Sequence, residues 1–250
     1  MRTLRVVTYN IRKGFSRLNG GRVVVHEVRD GLRALRPDIV FLQEVQGTHD
    51  RRAALFENWP AQPQYEFLAD AVWPEYAYGK NAVYDKGHHG NAILSRFPIL
   101  SWNNQDVSAH AFESRGLLHC ELEIPGWDGP LHCVNVHLGL FSRGREWQLL
   151  ALRERIESVV PQGSPLIIAG DFNDWRKKGH VSLSGRLNLS EAFEATSGRP
   201  ARSFPSALPL LSLDRIYVRG FTVQHTHVYR GRHWRRMSDH AALSATLTRV

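Results

Sequence analysis

A packet of carboxylates and amides follows directly on an apolar segment in the C-terminal half of the chain. In "PLIIAGDFNDW", residues 165–175, the apolar run breaks at Gly170 and is followed by Asp171, Asn173 and Asp174. Polar groups of this kind cost stability when they are buried without partners, so packing alone does not explain them. The segment therefore predicts a buried strand that carries ligand-type side chains into a functional site.

Other apolar segments carry comparable residues at one end. These residues are Asn10 after "VVTY", Glu44 after "IVFLQ", Asn91 before "AILS", His137 in "VNVHLG", Asp214 before "RIYV", and Asp239 and His240 before "AALSATL". Each one alone has a structural explanation, such as a turn, a cap or a structural histidine. Together they predict one active site at the strand ends, positioned by the rigid core and exposed by the loops.

The residue types narrow the chemistry of this predicted site. Oxygen ligands without cysteine favour a hard cation, Mg²⁺ or Mn²⁺, over structural zinc. Mg²⁺ commonly takes one or two protein carboxylates and leaves positions for water and phosphate, and Glu44 fits that role best. His137 and His240 suit proton transfer or contact with negative charge that develops around phosphorus. We therefore expect hydrolysis of a phosphate ester.

The chain is strongly basic. Its 32 lysines and arginines against 24 aspartates and glutamates give a net charge of +8, with a pI of about 9.9. This balance favours polyanionic partners, although charge that only maintains solubility gives the same numbers. The basic and aromatic run "YRGRHWRRMSDH", residues 229–240, leads to His240 and predicts Arg235 and Arg236 as phosphate contacts. A solvated basic loop is the alternative.

The two cysteines and the N-terminus indicate the compartment. Cys120 and Cys133 each lie in an apolar run, and their spacing matches neither a disulfide framework nor a zinc signature. We expect two buried thiols in a reducing environment. The segment "MRTLRVVTYN" enters a strand pattern without a signal peptide or membrane span, so we expect a soluble, cytoplasmic protein with no stable membrane anchor.

Short apolar runs bounded by Gly, Pro, Asp or Asn predict strands along most of the chain. They are "LRVVTYNI", "DIVFLQEV", "GNAILS", "GLLHCELEI", "LHCVNVHLG", "PLIIAGD", "LDRIYV" and "AALSATL". Two helices are predicted, one by a stripe from Val24 to Leu35 that stops at Pro37, the other by a stripe from Leu149 to Val159. Many strands with few helices favour a mixed α/β sandwich in a single domain, residues 1–250.

These motifs resemble the endonuclease/exonuclease/phosphatase family, whose members include enzymes like deoxyribonuclease I. "TYN", "LQE", "GNAILS", "NVHLG", "GDFN", "LDRIYV" and "SDH" occur in the family's order between residues 8 and 240. The run "YGKNAVYDKGHHGNAILSRFPI" is most similar to the bacterial YbhP-like branch. The resemblance implies a four-layer α/β sandwich, with two packed mixed β-sheets flanked by helices.

The resemblance also implies roles for the candidate residues. Glu44 would bind the cation with Asn10 beside it, and Asp239 would help to position metal or water. Asp171 would activate the attacking water, Asn173 would hold the phosphate, and His240 would contact the scissile phosphate with Asp214 orienting its ring. His137 matches the histidine of the deoxyribonuclease and sphingomyelinase branches. Arg115 in "ESRGLL" resembles an arginine that contacts substrate phosphate, and Asn91 is a further candidate for phosphate binding.

The substrate stays open at this point. Basic composition favours a nuclease that acts on DNA or RNA, and shared "NVHLG" favours a phosphodiesterase acting on phospholipid headgroups or small molecules. Abasic-site repair is disfavoured, because Leu211 stands where those endonucleases have a tryptophan. The signature of inositol phosphatases is also missing around "GDFN". A non-catalytic module that binds polyanions is a third reading, disfavoured by the complete motif set.

Overall fold

The computed structural model describes residues 3–16, 21–110, 112–175 and 178–250. The strands in these residues are β1 Thr3–Asn10, β2 Phe15–Ser16, β3 Arg22–Val23, β4 Ile39–His49, β5 Glu75–Tyr84, β6 Gly87–Ser95, β7 Ile99–Asp106, β8 Gly116–Leu122, β9 Leu131–His137, β10 Leu166–Asp171, β11 Ser190–Glu191, β12 Asp214–Arg219, β13 Phe221–Val228 and β14 Leu243–Arg249. The α-helices are α1 Val25–Leu35, α2 Asp50–Leu55, α3 Gln64–Ala69, α4 Ser142–Val159, α5 Lys178–Leu187, α6 Ala192–Ser197 and α7 Arg232–Met237.

Within these residues, most strands belong to two six-stranded sheets. The first has the order β13-β14-β1-β4-β6-β5, and the second has the order β11-β12-β10-β9-β8-β7. The central pair of each sheet is parallel, β1 with β4 and β9 with β10, whereas the other neighbours are antiparallel. Both sheets are therefore mixed. In each sheet the two parallel strands are the middle strands, so their carboxyl ends lie side by side.

Three apolar clusters hold four layers together. Leu4 and Phe41 of the first sheet pack with Cys120 and Ile167 of the second in the core between the sheets. Helices α1, α3 and α7 cover the outer face of the first sheet, and α4 and α5 cover that of the second. This arrangement confirms the predicted sandwich. Among the described residues, no helix combines the length and apolarity needed to cross a bilayer.

The strands that the sequence did not predict lie at sheet edges. The apolar runs all form strands, and both predicted stripes lie on helices, α1 and α4. By contrast β5, β7 and β13 went unpredicted, because much of each strand faces solvent and carries polar residues. Cys120 and Cys133 are free, buried and opposite each other in the β8–β9 register, which confirms the expectation of two buried thiols.

A buried polar network joins the two sheets close to the strand ends. The Gln43 Nε2 donates to Asn135 Oδ1 at 2.8 Å and to Thr8 Oγ1 at 3.2 Å. In turn the Asn135 Nδ2 donates to the backbone oxygens of Leu42 and Ala92, at 2.9 and 2.8 Å. Because these atoms are shielded from water, each bond left unmade costs more than it would at the surface. The network thus fixes β4, β6 and β9 relative to one another.

Replacing Asn135 tests how much this network contributes to the free energy of unfolding. We expect Asn135→Leu to lower the free energy of unfolding by about 2–4 kcal/mol, because two buried carbonyl groups and the Gln43 amide lose a partner. Asn103→Leu, at an exposed position on β7, is the matched control and should change it by less than about 0.5 kcal/mol. Urea denaturation measures both, and equal stabilities of the two variants would contradict the network's role.

Candidate active site

The carboxyl ends of the central parallel strands bring the candidate residues together. Asn10 ends β1, Glu44 lies on β4, His137 ends β9 and Asp171 ends β10. In the second sheet Asp171 aligns with His137 on one side and with Asp214 on the other. The rigid centres of two packed sheets therefore position these side chains, as the strand-end pattern predicts.

The carboxylate of Asp171 lies at the centre of this group and is buried. Its Oδ2 accepts a hydrogen bond from Asn10 Nδ2 at 3.1 Å and lies 3.5 Å from His137 Nε2 and 3.7 Å from His240 Nε2. Its Oδ1 accepts from the backbone N–H of Asn173 at 3.0 Å. Burial raises the pKa of the Asp171 carboxyl above its ordinary value, although the His240 charge opposes this. The group is thus a stronger base than a solvated aspartate.

Gly170 lets β10 bring Asp171 into this position. Its φ is +145°, and a Cβ at this residue would lie 2.0 Å from the Val136 carbonyl oxygen on β9. Any side chain would therefore push apart the two strands that carry His137 and Asp171. The break in the apolar run of "PLIIAGDFN" has this physical cause.

His240 and Asp214 form a buried pair directly behind Asp171. The His240 Nδ1 lies 2.9 Å from Asp214 Oδ2, which leaves Nε2 facing Asp171. Burial alone would lower the pKa of the His240 ring, but the Asp214 and Asp171 carboxylates outweigh it and raise that pKa well above its ordinary value. His240 is therefore an imidazolium that Asp214 holds in one orientation.

His137, unlike His240, is in the neutral form. Its side chain is mostly buried, and this burial together with the nearby Arg115 and His240 cations lowers its pKa well below the ordinary value. The ring is therefore neutral at physiological pH. Asp171 thus lies between one neutral and one charged imidazole, and the two can serve different steps of a reaction.

Glu44 owes its direction to an irregularity in β4. The β4–β6 register shifts between Leu42 and Val45, as in a β-bulge, and Glu44 adopts a left-handed backbone with φ of +53°. Bulges re-aim single side chains, and a non-glycine residue with this φ is strained. Here the Glu44 carboxylate is turned toward Asn10, whose Nδ2 lies 3.4 Å from Oε1. The Lys13 Nζ lies 3.6 Å from Oε2.

These side chains line a cleft of about 360 Å³ that opens to solvent. Its walls include Glu44, His137, Asp171, Asn173 and His240, together with Lys13, His89, Leu140, Trp175, Phe204, Leu211, Leu213 and Arg115. The Arg115 Nη2 is tied to Glu113 Oε1 at 3.2 Å. Among the described residues, nothing accepts a hydrogen bond from the buried Arg115 Nε. Lys13, Arg115 and His240 make the cleft suitable for an anion.

The donor set beside the cleft suits a hard cation. The Glu44 and Asp171 carboxylates both accept a hydrogen bond from the single side-chain nitrogen of Asn10. Two negative charges therefore share one neutral donor, and a cation beside them would balance that charge. Asp171, Asp214 and His240 also lie close enough to share an ion. However, His240 Nδ1 is already engaged with Asp214 at 2.9 Å, whereas Glu44 lines the cleft. The Glu44 side is therefore the better metal position.

Several predicted site residues lie outside the cleft walls. Asn91 is buried and donates from Nδ2 to the Gly116 carbonyl at 3.1 Å, which ties β6 to β8. Asp239 pairs with Arg12 Nε at 3.2 Å. Arg235 and Arg236 are exposed on α7, and Arg236 lines a separate depression with Arg22, Glu27, Arg232 and His233. Their proximity to His240 in sequence does not place them in the cleft, because α7 packs against α1.

Lys13, His89, Trp175 and Leu140 are cleft residues that the sequence analysis missed. Lys13 lies in a short turn, Arg12–Gly14, with φ of +62°, and no sequence signal marks it. The doubled histidine in "GHHGN" is a signal that could have identified His89. Asp174, the last acid of the packet, is buried 4.0 Å from Arg145 Nε of α4 and does not line the cleft.

Comparison with known proteins agrees with this geometry. The profile of the Endonuclease/Exonuclease/phosphatase family matches residues 7–240. The uncharacterized protein YbhP of Escherichia coli (strain K12) is 46% identical over 245 residues, which cover 98% of this chain and 96% of that protein. These matches confirm the predicted resemblance to the family and to its YbhP-like branch.

Solved structures show the same fold at low sequence identity. An endonuclease/exonuclease/phosphatase from Beutenbergia cavernae DSM 12333 gives a TM-score of 0.77 at 20% identity, covering 100% of this chain and 72% of that one. The mannosyl-6-phosphatase Bt3783 of Bacteroides thetaiotaomicron gives 0.73 at 19%, covering 98% and 99%. The D. rerio TDP2 complexed with single strand DNA product gives 0.70 at 19%, covering 98% and 99%.

The charge on His240 is directly measurable. We expect its ring to stay protonated at pH 8, and to titrate about two pH units lower in Asp214→Asn, because an adjacent carboxylate is lost while burial remains. NMR of ¹⁵N-histidine-labelled protein reports the protonation state. Asp239→Asn is the control and should shift the titration less, since Asp239 pairs with Arg12. A neutral His240 at pH 8 in the wild type would contradict the assignment.

Proposed function

Because the chain belongs to the endonuclease/exonuclease/phosphatase family, a family of hydrolases, we propose that it is a Mg²⁺-dependent phosphodiesterase. The observation that carries the proposal is the buried Asp171 carboxylate, which contacts Asn10 and lies between His137 and the His240–Asp214 pair. A base of this kind at the wall of a cationic cleft can activate water beside a bound phosphate.

Asp171 is proposed to take the proton from the attacking water. Its raised pKa brings it closer to neutral pH, where a general base is most effective, while the His240 cation keeps the carboxylate ionised. The Asn10 amide and the Asn173 backbone N–H fix both oxygens of the carboxylate. The water is thereby directed in line with the bond that breaks.

The phosphate is proposed to lie among the donors of the cleft. The His240 Nε2–H would donate to a non-bridging oxygen, and Asn173 and Arg115 would hold the others. Neutral His137 can donate a hydrogen bond without repelling the neighbouring cations. These donors are fixed before the reaction begins, so they stabilise the charge of the transition state with little rearrangement.

Glu44, with Asn10 beside it, is the proposed Mg²⁺ ligand, and Mn²⁺ suits the same oxygens. When bound, the cation supplies positive charge to the phosphate oxygens. The Lys13 ammonium would move away from Glu44 when the cation binds, since Lys13 and the cation would compete for the same carboxylate. Asp239 is assigned a supporting role through Arg12, which contacts it at 3.2 Å.

Nucleic acid is the first substrate class to test. The net charge of +8 favours a polyanion, and TDP2, which shares this fold, was solved with single-stranded DNA product. Arg235 and Arg236 would act as a remote contact for the phosphate backbone, since they are exposed away from the cleft walls. The second candidate is a phospholipid or small-molecule diester, favoured by the apolar side chains Leu140 and Trp175 at the cleft.

Nicking of supercoiled plasmid tests the proposal. We expect wild-type protein to nick in Mg²⁺ and to stop in EDTA, and His240→Ala to be slower by about 100-fold or more because a charged phosphate contact is lost. His225→Ala, on an exposed part of β13, is the control and should nick like the wild type. Equal nicking by His240→Ala would overturn the role of His240. Without nicking by folded wild type, bis(4-nitrophenyl) phosphate decides between a small-molecule diesterase and a non-catalytic polyanion binder.

The metal assignment has its own test. We expect Glu44→Gln to raise the Mg²⁺ concentration for half-maximal activity by about tenfold or more, because the neutral amide binds a hard cation weakly. Glu154→Gln, exposed on α4, should leave that concentration unchanged. An identical Mg²⁺ dependence of Glu44→Gln and wild type would move the metal away from Glu44.

A further inference from the structure

A second and larger cavity opens beside the cleft. Its volume is about 1070 Å³, and it shares His89, Arg115 and Leu140 with the cleft. Its remaining walls include Ala82, Val83, Ala109, Phe112 and Phe141, and we call the space bounded by these residues the side groove. The cleft and the side groove therefore adjoin each other at these three residues.

The side groove is bordered by apolar side chains that face solvent. Phe112 is fully exposed, and Val83, Leu140 and Phe141 are each more than half-exposed. Exposed apolar residues are common singly, but a contiguous group around a concavity marks a binding surface. His110 contacts the Phe141 ring edge-to-face at 6.1 Å, which restrains one wall of the groove.

The side groove offers no net charge to a polyanion. Among its described lining residues, the charged ones are Glu113 and Arg115, which neutralise each other at 3.2 Å. A nucleic acid strand that entered the groove would bring further phosphates, each requiring a cation. A molecule with one phosphate and an uncharged, apolar body has no such requirement.

Arg115 lies at the boundary between the cleft and the side groove. A substrate that occupied both spaces would have its phosphate on one side of Arg115 and its apolar part on the other. Arg115 lines both spaces, and its Nη2 is bound to Glu113. Within the described residues the buried Nε lacks an acceptor. An ester oxygen or phosphate oxygen at the junction would supply the missing acceptor, and the groove would then receive what is attached to it.

We propose that the side groove binds an alkyl or acyl chain attached to the scissile phosphate, so that the substrate is an amphiphilic phosphate ester. This inference rests on the proposed function, because it takes the phosphate to lie in the cleft. Three observations about the side groove support this substrate class. The groove shares residues with the cleft, its border is apolar and exposed, and Arg115, the one cation among its described lining residues, is paired with Glu113. The chain would cover Phe112 and Phe141, which otherwise face water.

Binding of soluble alkyl phosphates tests the inference without turnover. We expect affinity for the wild type to rise by about twofold for each added methylene from butyl to octyl phosphate, since an open groove buries part of each group. Isothermal titration calorimetry in EDTA, with each ligand below its micellar concentration, measures the series. In the double variant Phe112→Ser/Phe141→Ser, the ratio of the octyl to the butyl affinity should fall toward one.

Leu100→Ser is the matched control. Leu100 is an exposed apolar residue on β7 that lines neither cavity, so this variant should keep the wild-type chain-length dependence. A wild-type affinity that is independent of chain length would overturn the proposal. So would a dependence that the double variant retains, because the chain would then bind elsewhere.

Turnover separates this proposal from the proposed function. Wild-type hydrolysis of butyl and octyl 4-nitrophenyl phosphate in Mg²⁺ should favour the octyl ester by the ratio found in binding. If affinity depended on alkyl length but neither ester were hydrolysed, the alkyl-binding role of the side groove would be supported and the proposed phosphodiesterase activity would be refuted. If the double variant instead lost cleavage of single-stranded oligonucleotides and kept the alkyl dependence, the occupant would be a nucleobase and the proposal would be wrong.

Discussion

A buried carboxylate at the end of a central strand sets the conditions for the rest of the site. Asp171 is removed from water, and an ionised group there is stable only with compensating donors and positive charge. Asn10, the Asn173 backbone and the His240 imidazolium provide that compensation, and Asp214 in turn holds His240. Of these residues, Asn173 and His240 also line the cleft in which the proposed phosphate would lie.

Several residues with unusual backbone conformations lie where the sheets present these groups. Gly170 allows β10 to lie against the Val136 carbonyl, and Glu44 and Asn173 adopt left-handed backbone conformations. The Gln43–Asn135 network immediately below fixes the two sheets across which the site is divided. A well-packed apolar core would not need these features, so their cost is consistent with selection for a site.

Central strands and their terminal polar residues were predictable because each carries a strong local signal. Buried strands such as β10 read as continuous apolar runs, whereas the solvated edge strands β5, β7 and β13 do not. Arg235 and Arg236 lie close to His240 in sequence but do not line the cleft, because the path of α7 is a tertiary property. Lys13 reaches the cleft, and Phe112 the side groove, from turns and loops, whose geometry no period in the sequence encodes.

The most direct measurement is the rate of bis(4-nitrophenyl) phosphate hydrolysis in Mg²⁺ by wild type and Asp171→Asn, with their melting temperatures measured in parallel. The account predicts hydrolysis by the wild type that EDTA abolishes. It predicts a rate about 100-fold or more lower in the variant, with the variant still folded, because the amide cannot accept the proton of the attacking water. Hydrolysis by Asp171→Asn at the wild-type rate would contradict the assignment of Asp171 as the base.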